Sequence, residues 1–205
     1  MGIYRAHVLP RLIDRVLGDE RMVPYRQRAA GQVRGVVCEV GFGSGLNVPH
    51  YPESVERVYA VDPSPVAWRL AEQRVTSASV PIEAIGLDGA SLPLGDGTVD
   101  TVLSTWTLCT IPDVDRALAE IDRVLRPGGR LVFLEHGLSG DARVARRQHR
   151  LEPLQKRLAG GCHLTRDLAE LVGRSALELG PVDRFVIERN ATFSSMYAGT
   201  ATKVT

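Results

Sequence analysis

A glycine-rich segment early in the chain has the residue types needed to hold a ligand against bare backbone. It spans Glu39–Asn47 (EVGFGSGLN) and overlaps the end of the apolar run Val36–Val40. Glycine lets the backbone turn tightly and approach a ligand with no Cβ in the way. Turns of this kind, at the carboxyl edge of a parallel sheet, are where nucleotides bind. We therefore predict a nucleotide-like ligand at Gly41, Gly43 and Gly45.

The spacing of the glycines and two nearby carboxylates narrow the class of ligand. A dinucleotide fingerprint places its third glycine three residues after the second, but the third glycine here is Gly45 and the expected position holds Leu46. Glu39 lies just before the first glycine, where it would repel a pyrophosphate and attract a cationic group. Asp62 follows about 20 residues after Gly41, a distance that suits a carboxylate accepting both hydroxyls of a ribose. The pattern favours a ligand with a ribose and a positive charge over a nicotinamide or flavin dinucleotide.

Two further residues at predicted strand ends could complete this site. Asp88 follows the third apolar run and could accept a hydrogen bond from an adenine amino group. Trp106 follows the fourth run, directly after Thr105, where it could line the pocket or belong to the core. Adenosine joined to a cationic group is therefore the predicted shape of the ligand.

The elements that position these residues follow the rhythm of βαβ units. Short runs rich in β-branched residues alternate with longer helical patterns, as in a parallel sheet. The predicted strands are Val36–Val40, Arg57–Val61, Ile82–Leu87, Val99–Thr105 and Arg130–Glu135. The predicted helices between them are Pro65–Ser77, with Ser64 as its N-cap, and Asp113–Leu125, which Pro127-Gly128-Gly129 ends. The glycine-rich segment is expected to lead into a further helix.

The regions on either side of this core are mainly helical in pattern. Before Gly35 we predict one or two amphipathic helices, with Val8, Leu12 and Val16 on one stripe and Pro24 as an interruption. After Glu135 the predicted elements are the basic helix Asp141–Leu158, the helix Thr165–Arg174 capped by Thr165, and the strands Asp183–Arg189 and Thr192–Thr202.

Together these elements predict a single α/β domain over residues 1–205. Its sheet is doubly wound, Rossmann-like and mostly parallel, with helices on both faces and an antiparallel C-terminal strand pair. Residues 1–34 are expected to form a helical lid, 35–136 the ligand-binding core, and 137–205 the acceptor-side helices and closing strands.

Four segments in order resemble the motifs of class I S-adenosylmethionine-dependent methyltransferases. They are the glycine segment, Val58–Asp62, Leu87–Leu94 and Arg123–Leu131. The resemblance implies S-adenosylmethionine as cofactor, with the glycines near its methionine and ribose portions and the acidic residues at the ribose and adenine. The residues expected to bind it are Glu39, Gly41, Phe42, Gly43, Gly45, Asn47, Asp62, Pro63, Asp88, Gly89, Thr105 and Trp106.

The C-terminal part is similar to the thiol S-methyltransferase-like branch of that family. The residues that carry this similarity are Phe133–His136, Leu151–Leu154 and Gly160–Asp167. It implies methyl transfer to a small, apolar acceptor, with a thiol sulfur favoured. Because a thiol reacts as its thiolate, His136 and His163 are the candidate bases.

Other acceptors and another class of function stay open at this point. The same core is similar to quinone C-methyltransferases and phospholipid N-methyltransferases, so a phenol, quinone or lipid acceptor is the alternative. A non-catalytic module that binds S-adenosylmethionine but lacks an acceptor pocket would need the same motifs. No metal is expected to take part, because the sulfonium already makes the methyl group electrophilic.

Composition sets limits on partners and compartment. The net charge of +1, from 25 basic and 24 acidic residues, leaves no basic field for a nucleic-acid backbone. Three widely spaced cysteines fit neither a disulfide scaffold nor a paired-cysteine zinc site, so a reducing cytoplasm is expected. Charged residues interrupt every stretch of about 18 residues, so neither a spanning helix nor an export signal is expected. Oligomeric state stays open, although a homodimer is the commonest assembly.

A basic run in the C-terminal part has three interpretations. It could be a solvated helix face, a collar for an acidic substrate, or a patch that touches anionic lipid, the last of which would suit an apolar acceptor. Its residues are Arg143, Arg146, Arg147, Arg150, Lys156 and Arg157.

Overall fold

One sheet of seven strands organises the computed structural model, which describes residues 2–86, 88–187 and 191–205. The strands are β1 Gly35–Val40, β2 Val55–Val61, β3 Ile82–Gly86, β4 Val99–Thr105, β5 Leu125–His136, β6 Glu178–Val186 and β7 Ser195–Thr202. Their order across the sheet is β3-β2-β1-β4-β5-β7-β6. The first five pair in parallel, whereas β7 pairs antiparallel with both β5 and β6.

Helices cover both faces of this sheet. They are α1 Leu9–Leu17, α2 Val23–Ala30, α3 Pro65–Thr76, α4 Val114–Val124, α5 Ala142–Leu158, α6 Leu168–Gly173 and α7 Ala191–Ser194. Along β1, Val37 packs with residues of α2, whereas Cys38 and Val40 pack with residues of α4 and α6. Successive side chains of a strand point to opposite faces, so a continuously apolar strand indicates burial on both sides. The predicted Rossmann-like sheet, with its antiparallel C-terminal pair, is confirmed.

The central strands lie close to their predicted positions. β4 has the predicted bounds, and β1 and β2 begin slightly earlier than predicted. β5 begins at Leu125 rather than Arg130, because Leu125 already pairs with Val99 of β4 before the glycine turn. Leu87, the predicted last residue of the third strand, lies outside the described residues.

The helix expected after the glycine-rich segment does not form. Only a single 3-10 turn, Val48–His50, is present there. Pro52 explains this, because the residue before a proline is disfavoured in the helical region, and Tyr51 is extended (φ −68°, ψ 131°).

Two other helix predictions need correction. Pro24 does not interrupt a helix but lies in the first turn of α2, where proline is tolerated because that N–H has no helical partner. The predicted helix Thr165–Arg174 is shorter, and α6 is capped by Asp167, whose side chain accepts from the Glu170 N–H. Thr165 is therefore not the cap, consistent with the stronger N-cap preference of aspartate.

The closing strands are displaced from their predicted bounds. β6 begins at Glu178 rather than Asp183, because the Gly180-Pro181 pair, which looks like a strand breaker, lies at a register shift on the sheet edge. β7 begins at Ser195 rather than Thr192, because Ala191–Ser194 form a short helix. Residues 188–190, which include the predicted end of the first closing strand, lie outside the described residues.

The predicted apolar stripe of the N-terminal helix is exposed rather than packed. Val8, Leu12 and Val16 are each about half exposed (49%, 48% and 53%), and we call this the N-terminal apolar face. The hydroxyl of Tyr4 donates to the Leu158 carbonyl at 2.8 Å, which fixes this segment beside the end of α5. Across the described ranges, no helix combines the length and the apolar character that crossing a bilayer would require.

Candidate functional site

The chemistry-bearing residues gather at the carboxyl edge of the parallel strands. Loops leave β1, β2, β3 and β4 at this edge, and β5 ends there with His136. We call the loops after β1, β2 and β3 the cofactor side. The loop after β4, the end of β5 and the loop after α5 form the acceptor side.

The three glycines of the loop after β1 have different surroundings. A Cβ on Gly41 would lie 1.8 Å from the Thr107 hydroxyl oxygen, so this glycine is needed for packing between the two loops. A Cβ on Gly45 would press against the ring of Phe42 at 3.3 Å. A Cβ on Gly43 would meet only the Gly41 carbonyl oxygen, at 3.9 Å. Gly43 is therefore the glycine whose missing side chain leaves open space above the backbone.

Asp62 joins the loops after β1 and β2. One carboxylate oxygen accepts from the Gly43 N–H at 2.9 Å and the other from the Ser64 N–H at 2.8 Å. Burial raises the pKa of this carboxyl group, while the two backbone donors oppose that shift. The Trp68 indole donates to the Asp62 carbonyl and stacks on Phe42. The carboxylate predicted to bind a ribose thus lies beside the open face of Gly43.

The loop after β3 and the residue after Asp62 are less enclosed. Asp88 is exposed, and its carboxylate accepts from the Ala90 N–H at 2.8 Å within its own turn. A Cβ on Gly89 would lie 2.6 Å from the Val40 side chain, so this glycine also serves packing. Pro63 is exposed beside them. These three residues lie at the predicted edge, and their contacts to a ligand stay a prediction.

Glu39 lies at the centre of a buried polar network. Its carboxylate accepts from the Asn47 side-chain amide at 2.8 Å and from the Tyr51 hydroxyl. The same Asn47 amide nitrogen also donates to the Thr105 hydroxyl at 2.9 Å. Burial raises the pKa of Glu39 to about 7, although hydrogen bonds from Tyr51 and Asn47 lower it. The structure therefore brings together three predicted residues, Glu39, Asn47 and Thr105, with one that was not predicted, Tyr51.

Arg26 is a buried cation that the sequence reasoning missed. It is 5% exposed, and its guanidinium donates to the Asn47 side-chain oxygen at 2.9 Å and to the Leu17 carbonyl. Burial lowers its pKa to about 10, and Glu39 nearby opposes that shift. Its region carries no recognisable motif. Only the expectation that a lid covers the site could have directed attention to it.

Trp106 stands at the border of the two sides in an uncommon backbone conformation. Its φ of 51° is the single positive value at a non-glycine residue in the described ranges. The Arg26 guanidinium lies 4.7 Å from the ring centroid, a cation–π contact. Strained residues of this kind cluster at ligand sites. Trp106 packs against the buried cluster that contains Val37 and is partly exposed beside the Glu39 network, so the choice between core and pocket lining stays open.

A second buried carboxylate, Glu135, organises the loop after β4. It is fully buried and accepts from the Ser104 hydroxyl at 2.7 Å, the Thr107 N–H at 3.0 Å and the Cys109 N–H at 3.2 Å. Burial raises its pKa, and these donors oppose the shift. The neighbouring His136 was noted in the sequence, but the structural role of Glu135 depends on contacts with residues far away in the chain.

The two candidate bases have different environments. His136 is 4% exposed, and its Nδ1 lies 3.8 Å from the Cys162 sulfur. Its Nε2 is a buried nitrogen for which the described part of the chain offers no hydrogen-bond partner. The His163 side chain instead contacts Glu152 through Nδ1 at 2.8 Å, and burial lowers its pKa. Of the two, His136 therefore combines deep burial with a ring nitrogen that has no hydrogen-bond partner among the described residues.

One open cleft of the surface lies away from these residues. A polar cleft of about 620 Å³, lined by Arg57, Pro93 and Arg126 among others, lies at the amino ends of the parallel strands. None of the predicted site residues lines it. The loops that follow the strands, rather than this cleft, contain the candidate site.

Comparisons with known proteins find similarity to methyltransferases. Residues 38–133 match a family described as a methyltransferase domain. A thiol S-methyltransferase of Rattus norvegicus is 36% identical over 137 residues, which cover 64% of this chain and 55% of the relative. A demethylmenaquinone methyltransferase of Thermobifida fusca is 34% identical over 60% of this chain and 55% of the relative. A phosphatidylethanolamine N-methyltransferase of Cereibacter sphaeroides is 33% identical over 54% and 57%, respectively. This chain thus spans a little over half the length of these relatives.

Solved structures extend the likeness to nearly the whole chain at lower identity. A geranyl diphosphate methyltransferase in complex with S-adenosylmethionine superposes with a TM-score of 0.70 at 17% identity, covering 100% of this chain and 92% of that one. The [4+2]-cyclase SpnF superposes with a TM-score of 0.67 at 19% identity, covering 89% and 80%. At such identities the likeness establishes the fold, and the fold hosts more than one kind of reaction.

Proposed function

We propose that this chain, which belongs to the class I S-adenosylmethionine-dependent methyltransferases, transfers a methyl group to a small acceptor, most favourably a thiol. The observation that carries the proposal is the open backbone face at Gly43, directly beside the Asp62 carboxylate. S-adenosylmethionine, when bound, supplies a methyl group that its sulfonium makes electrophilic. The protein's part is then to bind, to orient the acceptor and to exclude water.

The residues at the cofactor side fit such a ligand. Gly43 offers a backbone surface without a side chain above it, and Asp62 is held in place by two backbone donors. A carboxylate oxygen has more than one acceptor position, so Asp62 can keep these bonds and still accept ribose hydroxyls. Asp88 is exposed at the same edge and is available to an adenine amino group.

The buried pair of Arg26 and Glu39 suits the amino-acid end of the cofactor. This end carries a carboxylate and an ammonium group, which call for one cation and one anion. Asn47 bridges the two, since it accepts from Arg26 and donates to Glu39. Because Arg26 belongs to α2, residues 1–34 would close over the site as a lid. The contacts of Arg74 with Asp14 and with the Ser44 carbonyl support that placement.

His136 is the group we propose as the base for a thiol acceptor. Its unpartnered Nε2 can accept the proton that the acceptor loses, and a thiolate is the reactive form of a thiol. Cys162 beside Nδ1 helps to hold the ring orientation. His163 is the less favoured base, because Glu152 already occupies its Nδ1.

The first experiment measures cofactor binding by calorimetry in the wild type and in Asp62→Ala. Loss of the carboxylate should weaken binding by about 1–3 kcal/mol, the range for a hydrogen bond to a charged group. Glu56→Ala removes an exposed carboxylate at the amino end of β2, away from these loops, and serves as the matched control. Equal affinity in Asp62→Ala and the wild type would contradict the placement of the site.

The second experiment detects S-adenosylhomocysteine formed with alkyl thiols, phenols, quinols and phospholipids. Turnover of thiols that falls in His136→Gln, with cofactor affinity retained, would support the proposed base. Binding without turnover of any class would favour a non-catalytic cofactor-binding module.

A quinol or lipid acceptor is the second candidate, and the N-terminal apolar face favours it. Tyr4, just before this face, contacts the Leu158 carbonyl at the end of α5, and α5 also carries the exposed Leu154 and basic residues, a combination that suits contact with an anionic lipid surface. Co-sedimentation with anionic vesicles, together with turnover of lipid or quinol but not of thiols, would move the assignment to this candidate. In either case we propose the cytoplasm as the compartment, which suits the three free cysteines.

A further inference from the structure

Two of the three cysteines meet at the acceptor side although they are distant in sequence. The sulfur of Cys162 lies 3.7 Å from the sulfur of Cys109. Cys109 belongs to the loop after β4, and Cys162 follows the Gly160-Gly161 turn after α5. A disulfide has an S–S bond of about 2.05 Å, so the two sulfurs need to approach by roughly 1.7 Å.

The backbones of the two loops are already joined. The His163 N–H donates to the Cys109 carbonyl at 2.9 Å, which places the residue next to Cys162 against Cys109. Both glycines before Cys162 have positive φ values, 67° and 104°, so this loop is held in a turn that lets it approach the loop after β4. Formation of a bond between the sulfurs therefore needs a local adjustment and not a rearrangement of the sheet.

The two thiols differ in the way that a dithiol exchange requires. Cys109 is buried (1% exposed), whereas Cys162 is partly exposed and can meet a small reagent. The hydrogen bond from Cys109, together with His136, lowers the pKa of the Cys162 thiol, and the same bond and burial raise the pKa of Cys109. Cys162 is thus suited to attack a disulfide reagent, and Cys109 is suited to resolve the mixed disulfide that this attack forms.

We propose that Cys109 and Cys162 form a reversible disulfide, with a low-molecular-weight disulfide as the oxidant, and that this bond switches off the acceptor side. In the first step the Cys162 thiolate attacks one sulfur of the reagent. A mixed disulfide forms and one thiolate leaves. In the second step the Cys109 thiolate attacks the Cys162 sulfur and expels the second thiolate. Two protein thiols become one disulfide, and the reagent is reduced to two thiols that take up the two protons.

The bond would act on the residues that face the acceptor. It would tie up the Cys162 sulfur that lies beside the His136 ring, and it would pull on the loop that Glu135 holds through the Thr107 and Cys109 N–H groups. The cofactor side meets this loop where Gly41 packs on Thr107, whereas Asp62 and its partners Gly43 and Ser64 lie outside the connection. The loss of turnover, though not the disulfide itself, rests on the proposed function. If the acceptor is a thiol, its own oxidised form is the oxidant, so the switch would respond to the redox state of the substrate pool.

The test equilibrates the reduced protein with mixtures of reduced and oxidised glutathione and counts free thiols by alkylation and mass spectrometry. Two of the three thiols should disappear together, and peptide mapping should link Cys109 to Cys162 while Cys38, buried in β1, stays free. Cys38→Ala should respond like the wild type. Cys162→Ser should lose no thiol, whereas Cys109→Ser should keep a stable glutathione adduct on Cys162.

Two measurements test how the Cys109–Cys162 disulfide affects the protein. Turnover should fall at least tenfold in the oxidised protein and return on reduction, with a smaller change in cofactor affinity. Hydrogen exchange of residues 105–110 should change on oxidation, and this readout does not need turnover. Three thiols that survive every glutathione ratio, or a disulfide that includes Cys38, would overturn the proposal. A Cys109–Cys162 disulfide that leaves hydrogen exchange and turnover unaltered would overturn the proposal that the bond is a switch. A lack of turnover in the reduced protein as well would refute only the proposed function.

Discussion

The cofactor side and the acceptor side lie at one edge of one sheet, yet they are assembled differently. On the cofactor side, the segment from Glu39 to Ser64 supplies the glycine backbone and most of its partners, as in the bonds of Asp62 to Gly43 and Ser64. On the acceptor side, Glu135 reaches across to Thr107 and Cys109, and Cys162 arrives from a third segment. A site made of neighbours in sequence can be recognised from its motif, whereas a site made of distant residues becomes visible only in the folded chain.

The largest expected effect comes from the carboxylate that organises the acceptor side. Glu135→Leu leaves the Ser104 hydroxyl and the N–H groups of Thr107 and Cys109 without their acceptor, and we expect it to lower the free energy of unfolding by about 4 kcal/mol. Glu178→Leu, at an exposed position of β6, is the control and should change stability by no more than about 0.5 kcal/mol. Urea unfolding measures both. A small loss in Glu135→Leu would mean that the acceptor side does not depend on this network.

Substitutions at two glycines of the loop after β1 test whether Gly41 is needed for packing and Gly43 for an open backbone. Gly41→Ala should lower the free energy of unfolding by about 3 kcal/mol, since its Cβ would overlap Thr107 and its φ is positive. Gly43→Ala should cost only about 1–2 kcal/mol, from its positive φ alone. Cofactor affinity, measured by calorimetry on folded protein, should nevertheless fall in Gly43→Ala. Equal stability losses at the two positions would contradict the distinction between packing and open backbone.

The buried Glu39 should make the stability of the cofactor side depend on pH. Burial raises its pKa in the folded state to about 7, above the ordinary value of 4.5. The native state therefore keeps a proton that the unfolded chain releases, so this contribution to stability is complete below pH 4.5 and is lost as pH rises to 7. Over that window wild type should lose about 3 kcal/mol relative to Glu39→Gln. Parallel curves of unfolding free energy against pH for the two proteins would contradict this.

The smallest expected effect concerns Arg26, which reaches from α2, in the proposed lid, to Asn47 of the Glu39 network. Arg26→Lys keeps the charge but loses the planar contact with Trp106 and the forked donors, so cofactor affinity should fall by about 1 kcal/mol. Arg28→Lys, an exposed arginine of the same helix paired with Asp183, is the matched control and should bind normally. If both variants bind as well as the wild type, the lid does not contribute a contact to the cofactor.

Local signals account for the parts that the sequence predicts well. The continuously apolar run Val36–Val40 and the cap Ser64 before Pro65 mark a buried strand and a helix start, and both occur in the structure. Features that depend on tertiary pairing cannot be predicted from such local signals. Gly180-Pro181 looks like a strand breaker, but the pairing with β7 carries the edge strand through it.

The residues of the candidate site also differ in whether a local signal in the sequence identifies them. Glu39, Asn47 and Asp62 stand out because they neighbour the glycines or lie about 20 residues beyond them, and the structure places them at one edge of the sheet. Arg26 carries no such signal, because an arginine in an amphipathic helix is usually solvated. The closeness of Cys109 and Cys162 could not be read from their spacing either, since a backbone bond between two loops creates it.

Both tryptophans of the chain lie at the candidate site, so their indole fluorescence can report on that site. Trp68 stacks on Phe42 and donates to the Asp62 carbonyl, whereas Trp106 lies beneath the Arg26 guanidinium. Indole emission shifts with the charges and dipoles around the ring, so intrinsic fluorescence reports on these two places and on no distant part of the molecule. Trp68→Phe and Trp106→Phe would each leave a single emitter, and their spectra would time the arrival of a ligand at one side and the closure of the lid over the other without any attached dye.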